Sequence, residues 1–187
     1  NVLDTFKRSL VAKASKMVDG DPLHPDTKLG AVVSEAHMQK IMSYIELAKD
    51  EGGQVLCGGH RLHPEGVEGG FYVAPTIIEG LGPQCRTNQE EIFGPVVTLQ
   101  PFDTEEEALK LANDTAYGLA ATLWTTNLKR AHRVAAGIES GMVWVNTWLL
   151  RDLRTPFGGV KDSGLGREGG FEALEFFTES QNICIKL

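Results

Sequence analysis

The sequence predicts an α/β fold, with a parallel sheet and crossover helices. Three apolar, strand-like runs, Val96–Leu99, residues 120–124 and Met142–Val145, alternate with two stretches of helical period. Strands in this order pair in parallel, because each intervening helix carries the chain back across the sheet. Ligands of such sheets bind beyond the carboxyl ends of the strands, so residues 146–161 are the first place to expect a site.

Apolar residues spaced three and four apart predict helices earlier in the chain. The period is already present in residues 1–18, so we expect the chain to begin inside an element and to be a piece of a longer protein. A second helix should follow Ser34, a residue type that caps helix N-termini, and end at Gly52. The two apolar stripes are Leu3, Phe6, Leu10, Ala14 and Met17, and then Met38, Ile41, Ile45 and Ala48.

The remaining elements have weaker signals. Thr104 and Glu107 form a capping box, in which each side chain bonds to the backbone near the other. Gln54–Cys57 and residues 71–78 are β-rich runs separated by the polar, glycine-rich segment 58–70. The second crossover helix has apolar residues at Leu128, Ala131, Ala135 and Ile138.

The composition excludes several classes of function. The 187 residues carry a net charge of −7, which argues against a nucleic acid partner, since phosphate binding needs a basic surface. The longest uncharged run, residues 115–128, is shorter than the roughly 17–25 apolar residues of a spanning helix, so no membrane segment is expected. Three widely spaced cysteines make no disulfide framework, and a cytoplasmic location is the simplest expectation.

Two motifs that suggest a cofactor or a metal do not meet the requirements of those sites. Residues 164–169 match the G-x-G-x-x-G pattern of dinucleotide-binding loops, but the surrounding β-α-β unit is missing. We therefore interpret them as a glycine-rich turn that leads into a last helix. Cys57, His60 and His63 have metal-like spacing without a defined fourth ligand, and no metal site is predicted.

The cysteines also lack the setting of a nucleophile. Neither Cys57 nor Cys85 lies in a recognisable nucleophile motif. Cys184 alternates with Ile183 and Ile185 in a predicted terminal strand, where a thiol is usually a small packing residue. No catalytic residue is assigned within the chain.

The segment 90–95 permits two interpretations. It places the carboxylates of Glu90 and Glu91 and the ring of Phe93 at a Gly-Pro turn ahead of a strand. A carboxylate at a turn can accept from two ribose hydroxyls, and an exposed aromatic ring can stack on a flat ring. Alternatively, the segment is a solvated acidic turn with Phe93 buried in the core.

Several segments together resemble successive motifs of the NAD(P)-dependent aldehyde dehydrogenases, in that family's order and spacing and over essentially the whole chain. They are residues 90–96 (EEIFGPV), 116–120 (AYGLA), 141–146 (GMVWVN) and 156–168 (PFGGVKDSGLGRE). Residues 148–155 (WLLRDLRT) and 178–187 (TESQNICIKL) are most similar to the 2-hydroxymuconic and 2-aminomuconic semialdehyde dehydrogenases.

The resemblance implies oxidation of a carboxylated semialdehyde to the acid with NAD, or NADP, as the cofactor. In the family, the cysteine nucleophile, the glutamate base and the cofactor domain lie upstream of this segment, so the chain alone should be inactive. Residues 1–177 would be a portion of the catalytic domain. Residues 178–187 would be an oligomerisation strand, which predicts a homo-oligomer.

The resemblance also implies site residues. Glu91 matches the glutamate that binds the nicotinamide ribose hydroxyls, and Phe93 matches the aromatic beside the nicotinamide. Trp148, Leu149 and Arg151 match the substrate-binding segment, in which Arg151 would fork onto a substrate carboxylate.

Other interpretations remain open on the residues alone. Arg151 could pair with Asp152 on the surface, and Arg154 is a second candidate for the substrate. The chain as a whole could be a non-catalytic oligomerisation or interaction module, or a thiol hydrolase that uses one of its own cysteines.

Overall fold

The computed structural model describes residues 2–187, and the chain divides into two compact units, Asn1–Pro101 and Phe102–Leu187. The helices are α1 (Leu3–Ala14), α2 (Glu35–Asp50), α3 (Arg86–Gln89), α4 (Glu105–Asn113), α5 (Leu128–Gly137) and α6 (Gly170–Phe177). The strands are β1 (Gln54–Cys57), β2 (Arg61–Leu62), β3 (Tyr72–Val73), β4 (Thr76–Glu79), β5 (Val96–Leu99), β6 (Tyr117–Gly118), β7 (Ala120–Leu123), β8 (Met142–Val145) and β9 (Val160–Lys161). Within residues 2–187, no helix combines the length and the apolar character needed to cross a membrane.

Helix α2 organises the core of the first unit, as its sequence pattern predicts. Ser34 caps it, because the Ser34 Oγ accepts from the backbone N–H of His37 at 3.2 Å. The helix packs against β1 and β3. All of the predicted stripe is buried: Met38, Ile41, Ile45 and Ala48.

The sheet of the first unit has the strand order β1-β4-β5. Strand β4 runs antiparallel to β1 and parallel to β5, with Thr76 opposite Val96. The predicted run 71–78 is interrupted: β3 ends at Val73 and pairs with β2, while β4 begins at Thr76. Pro75 lies at the break. A proline has no backbone N–H and therefore cannot donate a hydrogen bond to a neighbouring strand.

The predicted pairing of β5 is wrong. Among the described residues, β5 lies in the sheet of the first unit, whereas β7 and β8 form a separate two-stranded sheet. The connection 80–95, which precedes β5, is the crossover that joins it to its parallel neighbour β4. Helix α4, which follows β5, does not have this role. That connection holds only the short helix α3, so it lacks the helical period that would have revealed a crossover.

Helix α1 is shorter and more exposed than predicted. It ends at Ala14, and none of its residues is buried. The carbonyl of Val18 accepts from the backbone N–H groups of Lys28 and Leu29, at 2.8 and 3.2 Å, and these bonds draw the chain into a loop. The predicted stripe is therefore an amphipathic face without the burial that its period suggests.

The second unit contains the predicted parallel crossover. Strands β7 and β8 pair in parallel, with Ala120 opposite Met142, and α5 runs between them and packs on both. Asn127 caps α5 by accepting from the N–H of Arg130 at 3.0 Å, and Ala131 and Val134 are buried. This β-α-β unit confirms the α/β class.

The capping box of α4 forms with one change. The Thr104 Oγ1 accepts from the N–H of Glu107 at 3.1 Å, as predicted. The Glu107 Oε2, however, accepts from the N–H of Asp103 at 2.8 Å, one residue before the cap. Both bonds satisfy backbone donors near the helix start, so the stabilising effect is kept.

The C-terminal part confirms one prediction and leaves another untested. The glycine-rich turn leads into α6 with Gly169 as the N-cap, as predicted. Residues 181–187 form neither helix nor strand within the described chain. A strand is assigned from hydrogen bonds to a neighbour, so the oligomerisation strand stays a prediction.

Candidate functional site

The turn 91–93 of the first unit presents its side chains to solvent. Glu91 is exposed, and the Phe93 side chain is 73% exposed. The alternative that buried Phe93 in the core is therefore wrong. Phe93 has φ 58°, a left-handed conformation that costs energy for a bulky residue and is found where the surroundings impose it.

Two side chains of α2 impose this conformation. The Nε2–H of His37 donates to the carbonyl of Phe93 at 2.6 Å, and the two rings meet edge to face with centroids 5.9 Å apart. The Nζ of Lys40 donates to the carbonyl of Glu91 at 2.9 Å. His37 and Lys40 are three apart and therefore lie on the same face of α2.

This role of His37 and Lys40 was not predicted from the sequence. Both lie outside the apolar stripe of α2, and their partners are backbone atoms more than fifty residues away. A helical period shows which residues face the core, but it does not identify what the polar face contacts.

Glu90 anchors the turn while Glu91 remains available. Arg86 donates to both Glu90 oxygens, at 2.6 Å from Nε and 3.0 Å from Nη2, and the Tyr44 hydroxyl also donates to Glu90. These bonds, from Arg86 first and Tyr44 second, lower the pKa of Glu90 from 4.5 to about 2. The two adjacent carboxylates thus have different surroundings: Glu90 is partly exposed and bonded by Arg86 and Tyr44, whereas Glu91 is exposed.

Gly94 lets the turn approach α2 closely. A Cβ at this position would lie 2.6 Å from the Cδ1 of Ile41, a side chain that is completely buried. Any other residue would have to move the turn or the core. The glycine therefore brings the carbonyls of Glu91 and Phe93 within reach of α2.

In the second unit, residues that follow β8 form the other candidate region. Asn146, with φ 56°, ties the carboxyl ends of β7 and β8 together. Its Oδ1 accepts from the N–H of Thr125 and its Nδ2 donates to the carbonyl of Thr125, both at 2.8 Å. The loop therefore starts from a fixed point at the carboxyl edge of the parallel pair.

The aromatic and apolar residues of this loop are exposed. The rings of Trp148 and Trp144 meet edge to face at 5.3 Å, and Trp148 is 61% exposed. The Nε1–H of Trp144 donates to the carbonyl of Leu150 at 2.9 Å. Leu149 has φ 53° and is 56% exposed, so it resembles Phe93 as a bulky residue held in a left-handed conformation.

Arg151 does not pair with Asp152, so that alternative is wrong. Asp152 pairs with Arg154, whose Nη2 lies 2.5 Å from the Asp152 Oδ2. The Arg151 guanidinium lies over the Phe157 ring, 3.8 Å from its centroid, and its Nη2 donates to the Glu168 Oε1 at 3.2 Å. Arg154, committed to its neighbour, is the weaker candidate for binding a ligand.

A cavity of about 200 Å³ adjoins Arg151. Its walls include Met142 and Trp144 of β8 and the side chain of Phe157. A glycine at position 141 allows the backbone there to lie close to Gly158, because a Cβ on Gly141 would lie 1.7 Å from the carbonyl oxygen of Gly158. Apolar side chains and one cation, Arg151, line the same cavity together with polar backbone, which suits a ligand that carries a carboxylate on a carbon chain.

The predicted site residues thus fall in both units. Glu91 and Phe93 belong to the first unit, and Trp148, Leu149 and Arg151 belong to the second. Within each unit the structure brings the predicted residues to one exposed region.

The surroundings of Cys57 and Cys85 do not favour a nucleophile. The Cys57 Sγ donates to the carbonyl of Pro75 at 3.7 Å, and the ring of His60 donates to the carbonyl of Gly58 at 3.0 Å. Burial raises the pKa of the Cys85 thiol, which disfavours the reactive thiolate. In the part of the chain that the structure describes, no three His, Cys, Asp or Glu side chains converge as a metal ion requires.

Comparison of the sequence with models of known protein families identifies the class of protein to which the chain belongs. Residues 1–183 match the model of the aldehyde dehydrogenase family. The chain therefore belongs to the aldehyde dehydrogenase family, and the α/β fold is the fold of that family.

Two individual relatives show to which members of the family the chain is similar. The chain is 51% identical over 187 residues to a 2-hydroxymuconic semialdehyde dehydrogenase of Pseudomonas sp. (strain CF600), covering 100% of this chain and 38% of that protein. It is 47% identical over 188 residues to a 2-aminomuconic 6-semialdehyde dehydrogenase of Pseudomonas sp, again covering 100% and 38%. Both predicted resemblances are confirmed.

A solved structure shows the same backbone. The betaine aldehyde dehydrogenase of Staphylococcus aureus in complex with NAD+ matches with a TM-score of 0.90 and 40% identity, over 94% of this chain and 35% of that chain. The chain thus spans 38% of the length of the two curated relatives and a similar share of this structure.

Proposed function

We propose that the chain is the C-terminal part of an NAD(P)-dependent aldehyde dehydrogenase that oxidises a carboxylated semialdehyde of the muconic type to the acid. The observation that carries the proposal is Arg151, whose partly exposed guanidinium is held beside a cavity in the loop after β8. A planar guanidinium binds a carboxylate through two parallel hydrogen bonds. The muconic relatives named above support the same substrate class.

The first unit is proposed to bind the nicotinamide end of the cofactor. The exposed Glu91 carboxylate suits the two hydroxyls of a ribose, and the exposed Phe93 ring suits the face of a flat ring. His37 and Lys40 hold the backbone of this turn, so both side chains are orientated before a ligand arrives. The dinucleotide, when bound, supplies the hydride acceptor of the reaction.

The isolated chain is proposed to lack aldehyde oxidation activity. The pKa of Cys85, raised by burial, and the backbone contact of Cys57 support the assignment of the nucleophile to another part of the complete enzyme. Acyl transfer needs the nucleophile, the base and the cofactor positioned together. Loss of any one of them removes the reaction.

The C-terminal segment is proposed to pair with another subunit. Ile183, Ile185 and Leu187 are all strongly exposed, although apolar side chains in alternation are typical of a strand with one buried face. Pairing with another chain would bury these side chains and satisfy the backbone.

The test of the substrate proposal is Arg151→Ala in the complete enzyme. With a carboxylated semialdehyde, KM should rise, with a loss of about 2 kcal/mol in kcat/KM, the low end expected for a charge pair that is partly exposed. An uncharged aldehyde of similar length should change far less. Equal losses on both substrates would mean that Arg151 supports the fold, and the muconic assignment would lose its main physical argument.

A further inference from the structure

Phe157 and Glu168 face each other directly in an antiparallel β-bridge. The N–H of Phe157 donates to the carbonyl of Glu168 at 2.7 Å, and the N–H of Glu168 donates to the carbonyl of Phe157 at 2.8 Å. A pair that exchanges both hydrogen bonds places its two side chains on the same face. One aromatic ring and one carboxylate are therefore presented side by side.

Arg151 lies on this pair and contacts both members. Its guanidinium carbon is 3.8 Å from the centre of the Phe157 ring, a contact distance that holds the group against the ring face. Its Nη2 donates to the Glu168 Oε1 at 3.2 Å, which limits rotation of the group. Because Arg is a rigid, planar fork, these two constraints also set the direction of its remaining donors.

The guanidinium keeps donors for a further anion. Among the contacts of the described residues, Glu168 takes one N–H of Nη2, so one complete edge of the fork is left. The Arg151 side chain is 37% exposed, so part of it is accessible to a second carboxylate. Arg167, nearby, donates to the carbonyls of Gly159 and Gly166 and is occupied elsewhere.

We propose that Phe157 and Glu168 are positioning residues that set, in opposite directions, the affinity of Arg151 for the substrate carboxylate. This inference rests on the proposed function of Arg151. The Phe157 ring holds the fork in a binding orientation, so it raises affinity. The Glu168 carboxylate neutralises part of the charge of Arg151 and repels a second carboxylate, so it lowers affinity and limits how tightly the substrate is held.

The two effects can be separated because the bridge is made by the backbone. Glu168→Gln keeps an oxygen that can accept from Nη2 and removes the negative charge. Phe157→Leu keeps an apolar side chain and removes the ring face. Neither substitution removes a hydrogen bond of the bridge itself.

The experiment measures KM in the complete enzyme for a carboxylated muconic semialdehyde and for an uncharged aldehyde of similar length. Phe157→Leu should raise KM for the carboxylated substrate about three- to tenfold relative to the uncharged one. Glu168→Gln should lower the same ratio about two- to fivefold, the range of a partly exposed ion pair. Melting temperatures of the variants are measured alongside.

Two controls separate the inference from a structural effect. Glu175→Gln removes the same charge from an exposed position of α6 and should leave the KM ratio unchanged. Phe157→Tyr keeps the ring face and should also keep the wild-type ratio. If Phe157→Leu does not fold, the ratio for Glu168→Gln decides the outcome alone.

The failure of this inference differs from the failure of the proposed function. If Arg151→Ala does not distinguish the two substrates, the proposed function is overturned and the inference falls with it. If Arg151→Ala does distinguish them, the inference is overturned by a Glu168→Gln ratio that is unchanged or raised. A folded Phe157→Leu variant with an unchanged ratio would also overturn it.

Discussion

Glu90 and Glu91 are adjacent carboxylates that the structure separates into an anchor and an exposed group. The Glu90 carboxylate is bonded by Arg86 and Tyr44, whereas Lys40 bonds the backbone carbonyl of Glu91 and the Glu91 residue is exposed. The sequence places both carboxylates at the turn, and it does not distinguish them, because their partners lie on other elements.

Glu91→Gln should weaken the positioning of the nicotinamide ribose in the complete enzyme more than overall cofactor binding. The amide loses charge-assisted bonds to the ribose hydroxyls, so the expected cost in kcat/KM is about 1.5–3 kcal/mol. Steady-state kinetics at saturating cofactor check it, with Glu65→Gln as a control, because Glu65 is an exposed carboxylate of the same unit. Unchanged turnover would show that Glu91 is only a solvated turn residue.

Glu90 should make stability depend on pH in a defined window. Its pKa is lowered from 4.5 to about 2, chiefly by Arg86, so its stabilising effect is complete above about 4.5 and is lost as the pH falls towards 2. The difference in unfolding free energy between wild type and Glu90→Gln should therefore shrink through that window.

Denaturant unfolding at several pH values measures this difference. The side chains of Arg86 and Glu90 are 62% and 40% exposed, so added salt should also reduce the difference. A difference that stays constant from pH 6 to pH 3 would mean that the ion pair does not form in solution.

At the scale of elements, patterns that depend on neighbours in sequence predict the structure well. The cap and the full buried stripe of α2 follow from spacing alone, as does the parallel crossover β7-α5-β8. The strand with which β5 pairs could not be predicted from the sequence pattern, because pairing is decided by packing between distant segments. The contacts of His37 and Lys40 with the turn 91–93 could not be predicted for the same reason.

The close approach of the turn to α2 gives a testable requirement at Gly94. Gly94→Ala should destabilise the protein by about 1–3 kcal/mol, because the new methyl group would overlap Ile41 in a filled core. It should also weaken cofactor binding in the complete enzyme, since the displaced turn carries Glu91 and Phe93.

A matched glycine is available as the control for Gly94. A methyl group added to Gly82 would meet no atom within 4 Å, so Gly82→Ala should be nearly neutral, within about 0.5 kcal/mol. Equal unfolding free energies for the two variants would contradict the proposed contact between the turn and α2.

At the scale of the whole molecule, the family follows from the conjunction of motifs, while the proposed substrate class rests on one side chain, Arg151. The motifs extend along both units, and the family model matches residues 1–183. Among the residues that line the cavity after β8, Arg151 is the single cation, and we propose that this loop binds the substrate. A fold can host many aldehydes, so the choice of aldehyde must be argued from this site.

The most direct test of the account is the substrate preference of the complete wild-type enzyme. NADH formation is followed with a carboxylated muconic semialdehyde and with an uncharged aldehyde of the same length, and kcat/KM is compared. The account predicts a preference for the carboxylated substrate of at least about tenfold, since a guanidinium–carboxylate pair contributes on the order of 1.4 kcal/mol or more. Equal kcat/KM values, or a preference for the uncharged aldehyde, would contradict it.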